Sequence, residues 1–550
     1  MPGLAIVGQD AELGRLRHRL AVRPLLEHGE GEQQTVRQRL CRRLGWRAAD
    51  QQRGHRDQGE APESSAHGSS PSRDRLQARC RERAVSYTML DSARCPQEVA
   101  HMKHGRSLVV LATGTFMIAA ALSAVGCGGG DRDVATARPA SGARAVILIA
   151  VDGLRGDRFG AHGGAVATPS LDAMAGSASR FDWCFAQAPD PAASFASLLT
   201  GLYPTTSGVL EAGDRLPDAA VSLAEALSAA GLTTAAFVEG EPGGDDFGLR
   251  QGFSVYEASA EPGAAAKQWL RDHARENFLL VLRGWSVGLD ASLGTAVEGV
   301  EPPAGFLERL QAVLASARTD APVAFEPADL EYLKLLYARR VEAADRALGE
   351  LRAELEELGL AGRATVILTG TAGLDLGQHG PNGAQSLHAT VTRVPLLLSI
   401  PGGRGAAQTI DKVVELVDLM PTILELQGVA VPAGVQGASL LPIIDGTGRP
   451  PYIAFSEAPG LGRQRAVALG GLRLVQSLDG GSRALFDLAA DPAELTDIAA
   501  AQADKVAVME RHLEAWGKLV AAVSLDPELR TAEELDDATL DQLRSLGYIQ

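Results

Sequence analysis

ARAVILIAVD, residues 143–152, decides the fold. Its unbroken apolar run from Ala145 to Val151 is rich in β-branched side chains and ends on an acid, Asp152. A strand with one wet face alternates apolar and polar residues. A continuous run is what a strand needs when helices cover both faces of its sheet, as in parallel sheets. The same texture recurs at TTAAFVE (Thr233 to Glu239), NFLLVL (Asn277 to Leu282), ATVILTG (Ala364 to Gly370) and VPLLLSI (Val394 to Ile400). Helical patterns lie between them, at Ser222 to Ala230 and over Asp329 to Leu358, where Leu330, Leu333, Tyr337, Leu348, Leu351 and Leu355 form one stripe. Alternating strands and helices predict an α/β fold, a doubly wound, mostly parallel sheet flanked by helices with its site at the carboxyl ends of the strands. From residue 446 the texture changes. PYIAFSE, RAVALGG, LRLVQSL and RALFDLA follow in quick succession and predict a small antiparallel sheet, with helices at Gln502 to Val523 and Asp537 to Leu546. The domain plan is therefore an α/β domain over 143–445 and a C-terminal subdomain with a helical tail over 446–550.

Upstream of residue 143 the chain reads differently. The whole sequence of 550 residues is 45% hydrophobic with a net charge of −16, enough apolar content for a real core and too acidic for bulk nucleic-acid binding. Residues 1–101 run against this average, with 17 Arg, no Lys and 13 acids. They lack a sustained apolar period, so ordering them would cost backbone entropy that few apolar side chains offset. They read as an upstream extension, with a phosphate-touching basic arm as the functional alternative. Met102 then opens an export signal over 102–126. Lys103, His104 and Arg106 form a positive start, and LVVLATGTFMIAAALSA (Leu108 to Ala124) an apolar stretch. Small residues follow, up to Cys127. A Cys just after such a segment resembles a bacterial lipobox, whose Cys carries the lipid anchor. A transmembrane span over the same apolar stretch is the alternative. Residues 127–142 form a flexible tether. Cys41, Cys80 and Cys95 lie upstream, leaving Cys184 as the only globular cysteine, a buried inert thiol in an apolar setting.

From residue 143 onward the segments VILIAVDGLRGDRFGAHG, ATPSLDAMA, SFASLLTGLYPTTSGV, TAAFVEG, FGLRQGFSVYE, VPLLLSIPG, ELVDLMPTILELQGV, LFDLAADPAELTDIA and the final LRSLGY follow in order. Together they resemble a bacterial sulfatase of the alkaline phosphatase superfamily across 143–550. The resemblance implies an alkaline phosphatase-like fold and sulfuric ester hydrolysis. In that chemistry a divalent cation neutralises the ester oxygens while a metal-activated nucleophile attacks sulfur in line.

Carried over residue by residue, the family pattern meets substitutions. The nucleophile, a modified Cys or Ser in C/S-x-P-S-R ahead of LLTG, falls on Pro191, which has no nucleophilic atom; the Arg of that motif falls on Phe195. The first-strand metal carboxylate survives as Asp152, followed by Gly153. The later metal pair falls on Thr371 and Ala372 in TGTAGLDLGQHG. A His-containing stretch after the third strand has become Leu282-Arg283-Gly284-Trp285-Ser286-Val287, and a later His aligns with Gly383. One carboxylate holds a divalent ion poorly, since Ca²⁺ takes about six to eight oxygens. Asp152 thus reads as a metal-site remnant, no catalytic residue is assigned, and the chain reads as a pseudoenzyme.

Three pocket candidates remain. Ser194 is a helix N-cap or a displaced nucleophile. Asp375 and His379 are a solvated surface pair or a rearranged metal site, while His388 is ordinary packing. No cofactor is expected, and any that binds is one divalent cation, Ca²⁺ or Mg²⁺. The function expected is a lipoprotein exported to the bacterial cell envelope, held to the membrane by its lipid and binding an anionic small molecule or an envelope protein. An active sulfate or phosphate ester hydrolase with a rearranged site, and a purely structural envelope module, are the alternatives.

Overall fold

Each residue of the first strand sends its side chain into one of two cores, and that alternation sets the architecture. The computed structural model describes residues 144–527 and 529, apart from 243–245, 289–296, 298, 317–322, 381–385 and 459–462. The upstream extension, the export signal and its transmembrane alternative, Cys127, the tether, Gly383, the LRSLGY end and the helix expected at Asp537 to Leu546 lie outside the described residues. In β1 (Ala145–Val151), Val146, Leu148 and Ala150 join one apolar core; Ala145, Ile147, Ile149 and Val151 join the other. Every β1 residue is buried, which is why the run carries no polar position.

The large sheet has eight strands: β1, β2 (Ser179–Phe185), β3 (Thr233–Glu239), β4 (Val255–Ser259), β5 (Phe278–Arg283), β6 (Ala364–Gly370), β7 (Arg393–Ser399) and β8 (Gln408–Glu415). Their spatial order is β4-β3-β5-β1-β6-β7-β2-β8. All pairings are parallel except those of β7, which runs against β6 and β2. The expected mostly parallel sheet is therefore present, although VPLLLSI, read like the others, is its reversed strand. The polar-interrupted β2 and β8 and the half-buried β4 carry no apolar run, and the sequence reading passed over them.

Seven of the helices used here flank the large sheet or its insertions: α1 (Pro169–Ala175), α2 (Pro191–Thr200), α3 (Leu223–Ala229), α4 (Pro262–His273), α5 (Phe306–Ser316), α6 (Pro327–Glu357) and α7 (Leu419–Leu426). Helices α2, α3 and α7 cover one face of the sheet, through Phe195, Leu198, Leu223, Leu227, Leu419 and Ile423. Helices α1, α4 and α6 cover the other, through Leu171, Trp269, Tyr337, Leu348 and Leu355. The start of α3 is fixed by a capping box. Ser222 Oγ accepts from Glu225 N at 3.0 Å, while Ser222 N donates to the Glu225 carboxylate at 2.8 Å.

The second sheet is antiparallel, in the order β12-β11-β10-β9, from β9 (Ile453–Ala458), β10 (Gln464–Leu469), β11 (Leu472–Ser477) and β12 (Arg483–Asp487). Helix α8 (Ala503–Ala522) lies on it, with Trp516 stacked on Phe455 at 4.9 Å and edge-on to Tyr203 at 5.1 Å. This small sheet and its helix are as the sequence pattern predicts.

Candidate active-site cleft

Parallel neighbours bring the ends of four strands together. β1 lies between β5 and β6, and β3 lies beyond β5. In register, Ala150 pairs with Arg283, Val151 with Gly370 and Val238 with Arg283. The residues at those ends, Glu239, Arg283, Asp152 and Thr371, therefore share one edge of the sheet. This is where a doubly wound fold places its ligand.

At that edge Asp152 is fully engaged. Arg283 Nε donates to both carboxylate oxygens at 3.1 Å, and its Nη2 donates to Oδ2 at 2.7 Å. Thr371 Oγ1 donates to Oδ1 at 2.5 Å. The Arg283 and Asp152 side chains are 21% and 22% exposed, so water reaches the pair, while Thr371 is 0% exposed. The guanidinium carbon lies 4.9 Å from the centre of the Phe195 ring. Burial works against the Arg283 charge, yet Asp152 outweighs it and holds the guanidinium more firmly protonated than usual. Glu239 accepts from Ser286 N at 2.9 Å. Its burial raises the carboxyl above the ordinary range, and the Asp152 charge adds to this.

A divalent cation does not fit these residues. Both Asp152 oxygens are already bonded, and the Arg283 positive charge stands where further ligands are needed. Gly153 has a φ of +85°, and a Cβ there would lie 2.5 Å from Gly288 N, so no ligand side chain can be carried at 153. Ala372 is buried and apolar. Among the described residues, no three His, Cys, Asp or Glu side chains come together as a ligand set.

The nucleophile position is the first residue of α2. Asp190, not Ser194, is the N-cap. Its Oδ1 accepts from Ala192 N at 2.8 Å and Ala193 N at 3.2 Å. Pro191 fills the position after the cap, where the missing N–H costs nothing and the fixed φ suits the helix. Ser194 lies a turn inside the helix and is fully buried. Its Oγ donates to Ala188 O at 2.9 Å and accepts from Ala188 N at 3.0 Å. The cap expected at Ser194 is thus corrected by four residues, because the Asp-Pro pair starts the helix before it.

Asp375 and His379 are not a solvated pair; their side chains are 1% and 8% exposed. His379 Nδ1 lies 2.5 Å from Asp375 Oδ2 and its Nε2 lies 2.9 Å from Ala493 O. Both partners are acceptors, so both ring nitrogens carry protons. Burial alone would lower the His379 pKa, but the hydrogen bond and charge of Asp375 more than offset it and raise it. Burial in turn pushes Asp375 up, and His379 brings it below its ordinary value. Both ring nitrogens are thus committed to protein acceptors, and no third ligand residue joins the pair among the described residues. His388 does more than pack. It stacks on His379 at 3.6 Å and donates from Nδ1 to Glu494 at 3.0 Å. Glu494 also lies 3.4 Å from the buried Arg473, whose Nη2 donates to Leu387 O and Thr392 Oγ1, each at 2.6 Å. This junction ties the segment after β6 to the small sheet. Cys184 is buried, and burial pushes its thiol well above the usual range, as an inert thiol requires.

The family model described as Sulfatase matches residues 144–263 and 315–429, and that described as N-sulphoglucosamine sulphohydrolase, C-terminal, matches 377–516. The chain belongs to the sulfatase family. Among its relatives, arylsulfatase K of Xenopus laevis is 32% identical over 203 residues, 34% of this chain and 38% of that protein. The N-acetylglucosamine-6-O-sulfatase of Bacteroides thetaiotaomicron is 29% identical over 173 residues, 30% of this chain and 31% of its own length. The chain thus spans about a third of the length of the curated relatives it matches. Among solved structures, the phosphonate monoester hydrolase of Agrobacterium radiobacter aligns with a TM-score of 0.55 at 21% identity, covering 72% of this chain and 98% of that one. A 2-O GAG sulfatase aligns at 0.54 and 16% identity, covering 71% and 96%. These structures share the sulfatase fold, including the mixed large sheet and the small C-terminal one.

Arg283 is the site residue that the sequence reading missed as a participant. Its signal was a lone cation closing an apolar strand, meaningful only once β5 is known to lie beside β1.

Proposed function

We propose that this sulfatase-family chain does not hydrolyse esters and acts in the bacterial cell envelope by binding, held to the membrane by a lipid on Cys127. One observation carries the silent reading: Pro191 heads α2 where the family's nucleophile stands, and the hydroxyls described around Asp152 are engaged with protein partners, Ser286 Oγ with Asp152 O at 3.5 Å. Ser194 is tied to the Ala188 backbone. Thr371 is buried and gives its proton to Asp152. The Arg283 charge is met by Asp152, so the cleft side chains described here hold no spare cation for an anionic small molecule. An envelope macromolecule is therefore the partner we favour.

The test is hydrolysis of an aryl sulfate, an aryl phosphate and a phosphonate monoester, with Ca²⁺, Mg²⁺, Mn²⁺ or Zn²⁺ supplied. The expected rate equals that of buffer. Turnover that disappears in Asp152→Ala would falsify the silent reading. Metabolic labelling with a fatty acid, abolished by Cys127→Ala, tests the anchor.

A further inference from the structure

We infer that the guanidinium of Arg283 is a built-in replacement for the divalent cation of the sulfatase cleft, and that the surrounding substitutions form one matched set. A divalent ion is balanced by several carboxylates, and a single remaining carboxylate is balanced by a single positive charge. This cleft keeps one, Asp152, and supplies one, Arg283, as a planar fork that spans both carboxylate oxygens.

The neighbours fit the same exchange. Position 195, where the family motif has Arg, holds Phe. A second guanidinium there would repel Arg283; the phenyl ring instead offers its negative face 4.9 Å away. At 371 a carboxylate would add a second negative charge against Asp152. The threonine present is neutral and donates a hydrogen bond to it. At 153 a side chain is barred by the Gly288 backbone, and Val287 N donates to Asp152 O at 2.9 Å, so the segment after β5 is closed over the end of β1. A site decaying at random would leave Asp152 part-buried and unpaired, which is costly. Here the pair is complete.

The inference does not depend on whether the cleft hydrolyses anything, and it is tested without an activity readout. Thermal unfolding of the full chain is followed for wild type, Arg283→Met, Asp152→Asn and the double variant, in EDTA and in millimolar CaCl₂ or MgCl₂. Wild type is expected to unfold at the same temperature in all three. Each single variant should melt lower, by about one degree for Asp152→Asn. The double variant should be no worse than the weaker single, because each change alone removes the whole pair. Arg283→Met should not be restored to the wild-type melting temperature by Ca²⁺, since the one freed carboxylate holds a divalent ion poorly.

Additive singles, or a wild type stabilised by Ca²⁺ and lowered by EDTA, overturn the inference. Should Arg283→Met not fold, Arg283→Lys replaces it: it keeps the charge without the fork, and must melt lower while remaining indifferent to Ca²⁺. Ester turnover by a calcium-indifferent wild type would break the functional reading and leave this one standing.

Discussion

Two groups of charge belong to segments that leave or enter the large sheet at its carboxyl edge, and they are built differently. In the cleft, Asp152 and Arg283 form a pair about one-fifth exposed on each side chain. In the junction, Arg473 and Glu494 are 1% and 0% exposed, and the Asp375–His379 pair is nearly as dry. In the cleft each charge is met by near neighbours at the strand ends, Asp152 by Arg283 and Thr371. The junction draws its members from the segment after β6, from β11 and from the turn after β12, so no member changes alone without leaving a buried charge unmatched. Exposure and connectivity, rather than charge itself, decide which cluster can be rewritten.

Four substitutions would break or sharpen that contrast. The largest effect is expected at Arg473→Met, which strands Glu494 in the dry junction. A loss of about 3–5 kcal/mol is expected in denaturant unfolding, and a loss below about 1 kcal/mol would mean that the junction is no more constrained than the cleft. Next comes Gly153→Asp, which sets a second acid beside Asp152 but places its Cβ against Gly288 N at positive φ. About 3 kcal/mol should be lost, with no Ca²⁺-dependent recovery by calorimetry.

Third, His379→Gln should cost about 2 kcal/mol at pH 6. The pH dependence has a definite sign. The folded His379 pKa lies above its unfolded value, so its stabilisation is complete below about pH 6.5 and fades as pH rises through the folded pKa. The Asp375 partner is held low, so its share is lost only as pH falls through that lowered value. The wild-type advantage over His379→Gln should therefore be greatest between about pH 4 and 6.5 and shrink in alkali. A flat difference from pH 5 to 9 would mean the imidazole is neutral. The smallest effect, about 1 kcal/mol, is expected for Asp152→Asn, because water still reaches that pair.

Much of this was readable beforehand, for physical reasons. A strand buried on both faces must be apolar throughout, so β1, β3, β5 and β6 announced themselves. β2 and β8 did not, because Arg180, Asp182, Asp411 and Lys412 break their runs. Pro191, Phe195, Thr371 and Ala372 were placed by spacing from LLTG and LGQHG, which needs no three-dimensional knowledge. The partners of Asp152 and His379 were not readable in this way. Arg283 meets Asp152 only through the β5–β1 register, and Glu494 reaches His388 across 106 positions of sequence. The N-cap slipped from Asp190 to Ser194 because serine before an apolar stretch is a common cap, and the stronger Asp-Pro start lay just upstream.

The reversed direction of β7 has a further meaning. β6 ends and β7 begins at the same edge, so no helical crossover is needed between Gly370 and Arg393. A parallel successor would have needed a helical crossover to carry it back. A segment that starts and finishes on one side is free to be edited by descent. Ligands can be dropped from it and new internal bonds taken up, while the order of strands on either side is inherited intact. The backward strand thus makes the part of the molecule nearest the chemistry the part that evolution can most cheaply rewrite.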